Sequence, residues 1–269
     1  MAYEEEQHMS ENPIEVKENG PVLEVTINRP KANAIDAATS RAMGKVFESF
    51  RDDPDQRVAI VTGAGDKFFC AGWDLKAAAE GEAPDSDYGV GGFGGMQELP
   101  DLNKPIIAAI NGMAVGGGFE IALSADLIIA ADNARFALPE INAGTLADAA
   151  TIKVPRRMPY HVAMDLLFTG RWMEAEEALR WGLVNKIVPA GELMQSAREM
   201  AQLLAGGPPL VFACIKEVAR ETETMGFQHA MDMINGRRFP TVHTLYSSED
   251  QLEGARAFAE KREPVWKGR

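Results

Sequence analysis

From Ile106 to Glu120 the chain reads Ile-Ile-Ala-Ala-Ile-Asn-Gly-Met-Ala-Val-Gly-Gly-Gly-Phe-Glu, an apolar strand that runs into three glycines and then a carboxylate. Few folds accommodate such a segment. A run of Ile and Ala without polar alternation suits a strand covered on both faces, as in the parallel sheet of an α/β protein. Three consecutive glycines let the backbone turn sharply and let a ligand approach bare amides. The helix predicted after them offers unbonded N–H groups, and its positive end, to a developing negative charge. A second carboxylate, Glu140, follows twenty residues later, after another predicted strand.

The flanking pattern agrees. Residues 21–28 alternate and are β-branched, predicting a strand that Pro30 stops. Met43, Val46, Phe47 and Phe50 are spaced for a helix over 37–51, and 57–63 is a short, wholly apolar strand. A strand at 105–110 continues the α/β alternation, and a further strand at 127–131 and an extended arm at 135–138 deliver Pro139-Glu140. Beyond Tyr160 the pattern is mostly helical, with helices at 174–181, 192–204, 211–222, 226–235 and 248–262 and a short strand at 183–188. The reading is an α/β fold, a spiral core followed by a helical C-terminal region, with no internal sequence repeat. Residues 81–95, rich in Gly and acidic side chains, are expected to be a mobile surface loop near the site. Their Gly89-Val-Gly-Gly-Phe-Gly94 matches a dinucleotide fingerprint by letter, but no strand precedes it, so that reading fails.

A net charge of −13 argues against nucleic acid as a partner, though not against a small phosphorylated ligand. No apolar run reaches membrane-spanning length. Cys70 and Cys214 have neither metal-ligand nor disulfide spacing, and the N-terminus is acidic where a signal peptide would be basic, so a cytoplasmic location is expected. Residues 1–10 read as a disordered extension, with Met9 a candidate start.

The chemistry concentrates in two glycine elements and two acids. Ala71-Gly72 taken alone is an ordinary turn. Joined to 116–118, it places the Trp73 amide as the second donor an oxyanion hole requires. Glu120 alone suits a helix first turn, and Glu140 alone suits a loop. Together, beside such a hole, two carboxylates can hold a water, take its proton and return one to an adjacent carbon. No histidine has the context of a catalytic base, no nucleophile elbow occurs, and no metal spacing is present.

Ala71-Gly-Trp-Asp-Leu75, Asn111-Gly-x-Ala-x-Gly-Gly-Gly-Phe-Glu120 and Phe136-Ala-Leu-Pro-Glu140 resemble the enoyl-CoA hydratase/isomerase (crotonase) superfamily, from about Pro21 to the C-terminus. The resemblance implies a crotonase-like spiral of ββα units over 11–204 and a helical oligomerisation region over 205–269, giving a homotrimer or a dimer of trimers. It implies an acyl-CoA thioester substrate and no cofactor beyond that coenzyme A. By motif position, the Trp73 and Gly117 amides grip the thioester oxygen, and Glu120 and Glu140 activate water and shuttle the α-carbon proton. Lys31, Ala32, Ala71, Gly72, Asp74 and Leu75 match segments lining the coenzyme. Phe258 and Lys261 resemble residues that reach a neighbouring subunit's coenzyme, with Lys261 a phosphate contact.

Residues 29–36, 67–85 and 264–269 further resemble the branch of that superfamily acting on betaine thioesters, whose trimethylammonium needs an aromatic or acidic cradle. Trp73, Tyr88 and Phe93 are candidates for it. One segment departs from the family pattern. After Glu140, the family's proline and Gly-Gly pair are replaced by Ala147, Ala149, Ala150 and Thr151, one residue shorter, which is expected to stiffen a helix start and narrow the acyl pocket. Double-bond isomerisation, or a thioester-binding scaffold without catalysis, therefore stay open beside hydration.

Overall fold

The computed structural model describes residues 12–269; the expected extension and Met9 lie outside them. Strands β1 (Ile14–Asn19) and β2 (Val22–Ile27) form an antiparallel hairpin, followed by helix α1 (Ala37–Asp52). Three units of one design come next. Strand β3 (Val58–Gly63), strand β4 (Phe68–Cys70) and helix α2 (Leu75–Ala79) make the first. Strand β5 (Ile106–Ile110), strand β6 (Met113–Val115) and helix α3 (Gly117–Ala122) make the second. Strand β7 (Leu127–Ala131), strand β8 (Arg135–Ala137) and helix α4 (Glu140–Ala143) make the third. The repeat is one of structure, with no repeated sequence to announce it. Helices α5 (Asp148–Arg157) and α6 (Tyr160–Thr169), strand β9 (Met173–Glu174), helix α7 (Ala175–Arg180), strand β10 (Lys186–Val188) and helix α8 (Leu193–Ala205) complete the spiral.

Six strands build one sheet, β1-β2-β3-β5-β7-β10, parallel from β2 onward. Four short strands build a second sheet, β4-β6-β8-β9. Strand periodicity sorts the side chains of the first sheet between two cores. Ala59, Val61, Ala108 and Ile110 face the main core, shared with Phe47, Phe69, Phe119 and Phe136. Ile60, Ile107, Ala109 and Ile129 face Ala197 and Ala201 of α8. Burial on both faces is why these strands carry no polar alternation.

Helix α1 is capped by Asp36, which accepts from the Thr39 N–H at 2.7 Å, while Met43, Phe47 and Phe50 enter the core. The expected loop 81–95 divides in two. Its first half is turns at the surface, but Gly91, Gly92, Gly94 and Gly95 are buried. Gly95 lies so close to Met43 and Gly44 of α1 that a side chain there would meet backbone, so these glycines serve close packing rather than mobility.

From Pro209 the chain is helical: α9 (Pro209–Glu221), α10 (Phe227–Asn235), α11 (Pro240–Leu245) and α12 (Glu253–Glu260). A small cluster of Cys214, Phe239 and Val242 holds α9 to α11. Lys216 fastens α9 to the core through the Lys104 carbonyl at 2.7 Å and Asp126 at 2.8 Å. Helix α10 buries none of its residues, and Phe227 is 80% exposed.

Candidate active site

The path from β6 into α3 is a close passage between neighbours. Gly116 turns with φ of 53°, and a methyl group on it would lie 2.5 Å from Oε1 of Glu140. A methyl on Gly117 would lie 2.5 Å from the Phe93 ring, and one on Gly118 would overlap the Cys70 carbonyl. Gly72 comes in from the other side with φ of 84°, where a methyl would stand 2.7 Å from the Val115 oxygen and 2.8 Å from the Gly117 nitrogen. The two glycine elements identified in the sequence therefore meet backbone to backbone.

Their meeting leaves two donors free. Trp73 bridges Ile35 in parallel fashion: the Ile35 N–H donates to the Gly72 oxygen at 2.8 Å, and the Asp74 N–H to the Ile35 oxygen at 2.9 Å. Those bonds flank Trp73, so its own N–H points to the opposite side. The Gly117 N–H is the first orphan donor of α3. Among the described residues neither N–H has an acceptor. Two such amides on touching segments can hold one carbonyl oxygen and the charge it develops.

Both predicted acids lie on the elements that meet here, Glu140 with Oε1 against Gly116 and Glu120 on α3, one turn beyond Gly117. Glu120, 7% exposed, accepts the Ala150 N–H on Oε1 at 2.9 Å, and burial raises its pKa against the pull of that bond and of Lys153. Burial lifts Glu140 to about 7, helped by the negative charges of Glu120 and Asp148, and among the described residues its buried Oε2 has no hydrogen-bond partner. A buried carboxylate oxygen without a partner is costly, and it marks a place for a water or a ligand. Two acids with raised pKa values, beside two free amides, can give and take protons.

The segment that departs from the family pattern is tied to Glu120. Ala147, Ala149, Ala150 and Thr151 open α5 with no side-chain cap of their own, and Glu120 supplies the cap from α3. One turn on, Lys153 donates to Ser124 Oγ at 2.7 Å and Gln97 Oε1 at 3.2 Å, and Ser124 donates to the Glu120 carbonyl at 2.8 Å. Burial lowers Lys153 to about 8, with Arg157 adding to the effect and Glu120 opposing it. Asp148 and Lys153 were not singled out from sequence. Their only trace is spacing, since Ala150 and Lys153 are three apart on one helix and so share a face.

The remaining candidates divide. The Ala71 N–H bonds the Ala32 oxygen at 3.0 Å, so the Lys31-Ala32 turn does join the 71–75 segment. Asp74 caps α2 through the Lys76 N–H and pairs with Arg29 at 3.1 Å, which gives its carboxylate a structural task. Leu75 is 74% exposed at the start of that helix. The Trp73 indole donates to Glu82 at 2.7 Å, and Glu82 also accepts the Ala37 N–H, so this ring is tied to the start of α1 instead of being free to cradle a ligand. Phe258 and Lys261 are exposed on α12 and its end, where α12 packs chiefly on the turn at 250–252. Two clefts elsewhere, of about 280 and 590 Å³, are lined by the β1–β2 hairpin with α8 and by the C-terminal tail.

The sequence model for the enoyl-CoA hydratase/isomerase family matches residues 17–269. Carnitinyl-CoA dehydratases of Salmonella typhimurium and Salmonella heidelberg are each 55% identical over 262 residues, covering 97% of this chain and 100% of theirs. Among solved structures, the enoyl-CoA hydratase EchA1 from Mycobacterium marinum superposes with a TM-score of 0.87 at 37% identity, over 96% of this chain and 99% of that one. An enoyl-CoA hydratase from Bacillus anthracis gives 0.87 at 32% identity, over 96% and 100%. The fold is that of the crotonases.

Proposed function

Since this chain belongs to the enoyl-CoA hydratase/isomerase family, we propose that it adds water reversibly to a 2-enoyl-CoA thioester. The observation that carries this is the pair of acceptor-free amides, Trp73 and Gly117, set beside Glu120 and Glu140. The two amides receive the thioester oxygen. Glu120, with the Ala150 N–H on it and the Lys153 charge near it, is the easier of the two to ionise, and it takes a proton from water. The hydroxyl bonds to the β-carbon, the double-bond electrons move onto the thioester oxygen, and Glu140, protonated below about 7, gives its proton to the α-carbon. Dehydration is the reverse. Isomerisation can run on one carboxylate, so the gathering of both favours hydration.

The relatives named carnitinyl-CoA dehydratase support carnitinyl-CoA and crotonobetainyl-CoA as the interconverted pair. Lys31, Ala32, Ala71 and Gly72 line the coenzyme, and Phe258 and Lys261 reach a neighbour's. The unburied α10 and the exposed Phe258, Ile215 and Phe227 support assembly through the C-terminal helices as a trimer or a dimer of trimers. The reaction needs no cofactor besides the substrate's coenzyme A. Among the described residues no helix is long and apolar enough to cross a membrane, and both cysteines are buried free thiols, which suits a cytoplasmic enzyme.

The test is the absorbance of the enoyl thioester. Crotonobetainyl-CoA should lose it on addition of the enzyme and carnitinyl-CoA should gain it; an enzyme inert toward both, and toward crotonyl-CoA, would end this reading. The pH profile adds a second check. Glu120 must be ionised to act as base, and Lys153 favours the ionised form, so Lys153→Met moves the acid limb of kcat to higher pH by about one unit. An unmoved limb would separate Lys153 from the chemistry.

A further inference from the structure

The acyl pocket has a side that the hydration chemistry does not use. Phe93 lies against Gly117, hence beside the amide proposed to hold the thioester oxygen. Tyr88 meets Phe93 edge-on, with ring centroids 5.4 Å apart and planes at 77°, and both rings are half-buried. Asp148 opens α5 two residues before Ala150, whose N–H rests on Glu120. Asp148 stands close enough for its negative charge to reach Glu120, Glu140 and Tyr88. Among the described residues Asp148 makes no hydrogen bond or ion pair with another side chain.

We propose that Tyr88, Phe93 and Asp148 form the receptor for a quaternary ammonium at the end of the acyl group, an inference that rests on the hydratase reading above. The two rings offer faces and edges to the methyl groups, and Asp148 supplies the counter-charge. Without such a cation the negative field is only partly offset, since Asp148 raises the proton affinity of both Glu120 and Glu140 while Lys153 acts on Glu120 alone. The neighbouring cations are engaged elsewhere. Lys153 is held by Ser124 and Gln97, and Arg41 donates to the Asp87 carbonyl. Glu82 adds to the negative field at Tyr88 while its oxygens serve Trp73 and Ala37. A neutral acyl chain leaves this field uncompensated, and a trimethylammonium group compensates it. Asp148 also suits the first turn of a helix through the dipole, but that role would affect every substrate alike.

Two thioesters separate the roles: crotonobetainyl-CoA, and its carbon isostere with tert-butyl in place of trimethylammonium, which keeps the shape and drops the charge. The readout is the ratio of their kcat/KM values, with thermal melts to certify folding. The wild type should favour the charged thioester, and Asp148→Asn and Tyr88→Leu should each reduce the ratio about tenfold. A ratio unchanged in both variants, with both thioesters still hydrated, would overturn the receptor and leave the hydratase standing. A wild-type ratio near one would overturn it too. A wild type that hydrates crotonyl-CoA but neither of these thioesters would overturn the receptor alone, and one inert toward all three would remove both readings.

Discussion

Glu140→Gln should lower kcat by about three orders of magnitude and, at the same time, flatten the dependence of stability on pH. The first effect follows from removing the proton that reaches the α-carbon, a general-acid role of that typical size. The second follows from linkage. Glu140 titrates at about 7 in the folded chain, against an ordinary carboxyl value of 4.5. Between those pH values the folded state holds a proton that the unfolded state has released, so stability falls as pH rises through that window. Allowing for solvent at the half-buried side chain, the loss is about 2 kcal/mol. Glutamine cannot titrate, so denaturant melts of the variant at pH 5 and pH 8 should differ less than those of the wild type. Equal pH dependence in the two proteins would mean that Glu140 is not held out of its preferred charge state.

Gly72→Ala should cost about 3–5 kcal/mol and abolish turnover. Gly72 has φ of 84°, and the added methyl would press on the Val115 oxygen and the Gly117 nitrogen, both backbone atoms with no free rotation to give. Relief would have to come from moving β6 or the start of α3, which displaces one of the two amides. At this chain length the cost corresponds to a melting point about 10 °C lower. Gly65→Ala is the control: φ is 81° there too, but among the described residues nothing lies within 4 Å of the new methyl. It should cost only about 1–2 kcal/mol from the left-handed backbone and leave turnover intact. Equal costs at the two positions would show that the passage between 71–73 and 116–118 is looser than described.

Much of this architecture was legible in the sequence because it rests on local pattern. The apolar run of β5 declared a strand buried on both faces, and Met43, Phe47 and Phe50 declared the inward side of α1. The strands of the second sheet were harder to see. Phe68–Cys70 and Met113–Val115 are three residues each, too short for a period of two to stand out. Their pairing follows from the repeated ββα path, not from their composition. Glu120 and Glu140 were legible as a pair because each follows a strand and a tight turn. The contributions of Asp148, Lys153 and Glu82 were not, since each depends on where a distant helix docks: α5 on Glu120, and α1 on the Trp73 segment. The alanines at 147–150 signalled a crowded pocket by composition alone. In the folded chain Glu120 caps that helix start through the Ala150 N–H, a bond that needs a backbone N–H and no particular side chain.

The most direct test of the two-carboxylate site is a double-variant cycle on kcat with crotonobetainyl-CoA. Glu120→Gln and Glu140→Gln should each fall about a thousandfold, and the double variant should fall no more than about tenfold below the slower single one. Groups that pass protons in one relay fail together. Either single variant retaining wild-type turnover, or losses that multiply in the double variant, would contradict a shared site.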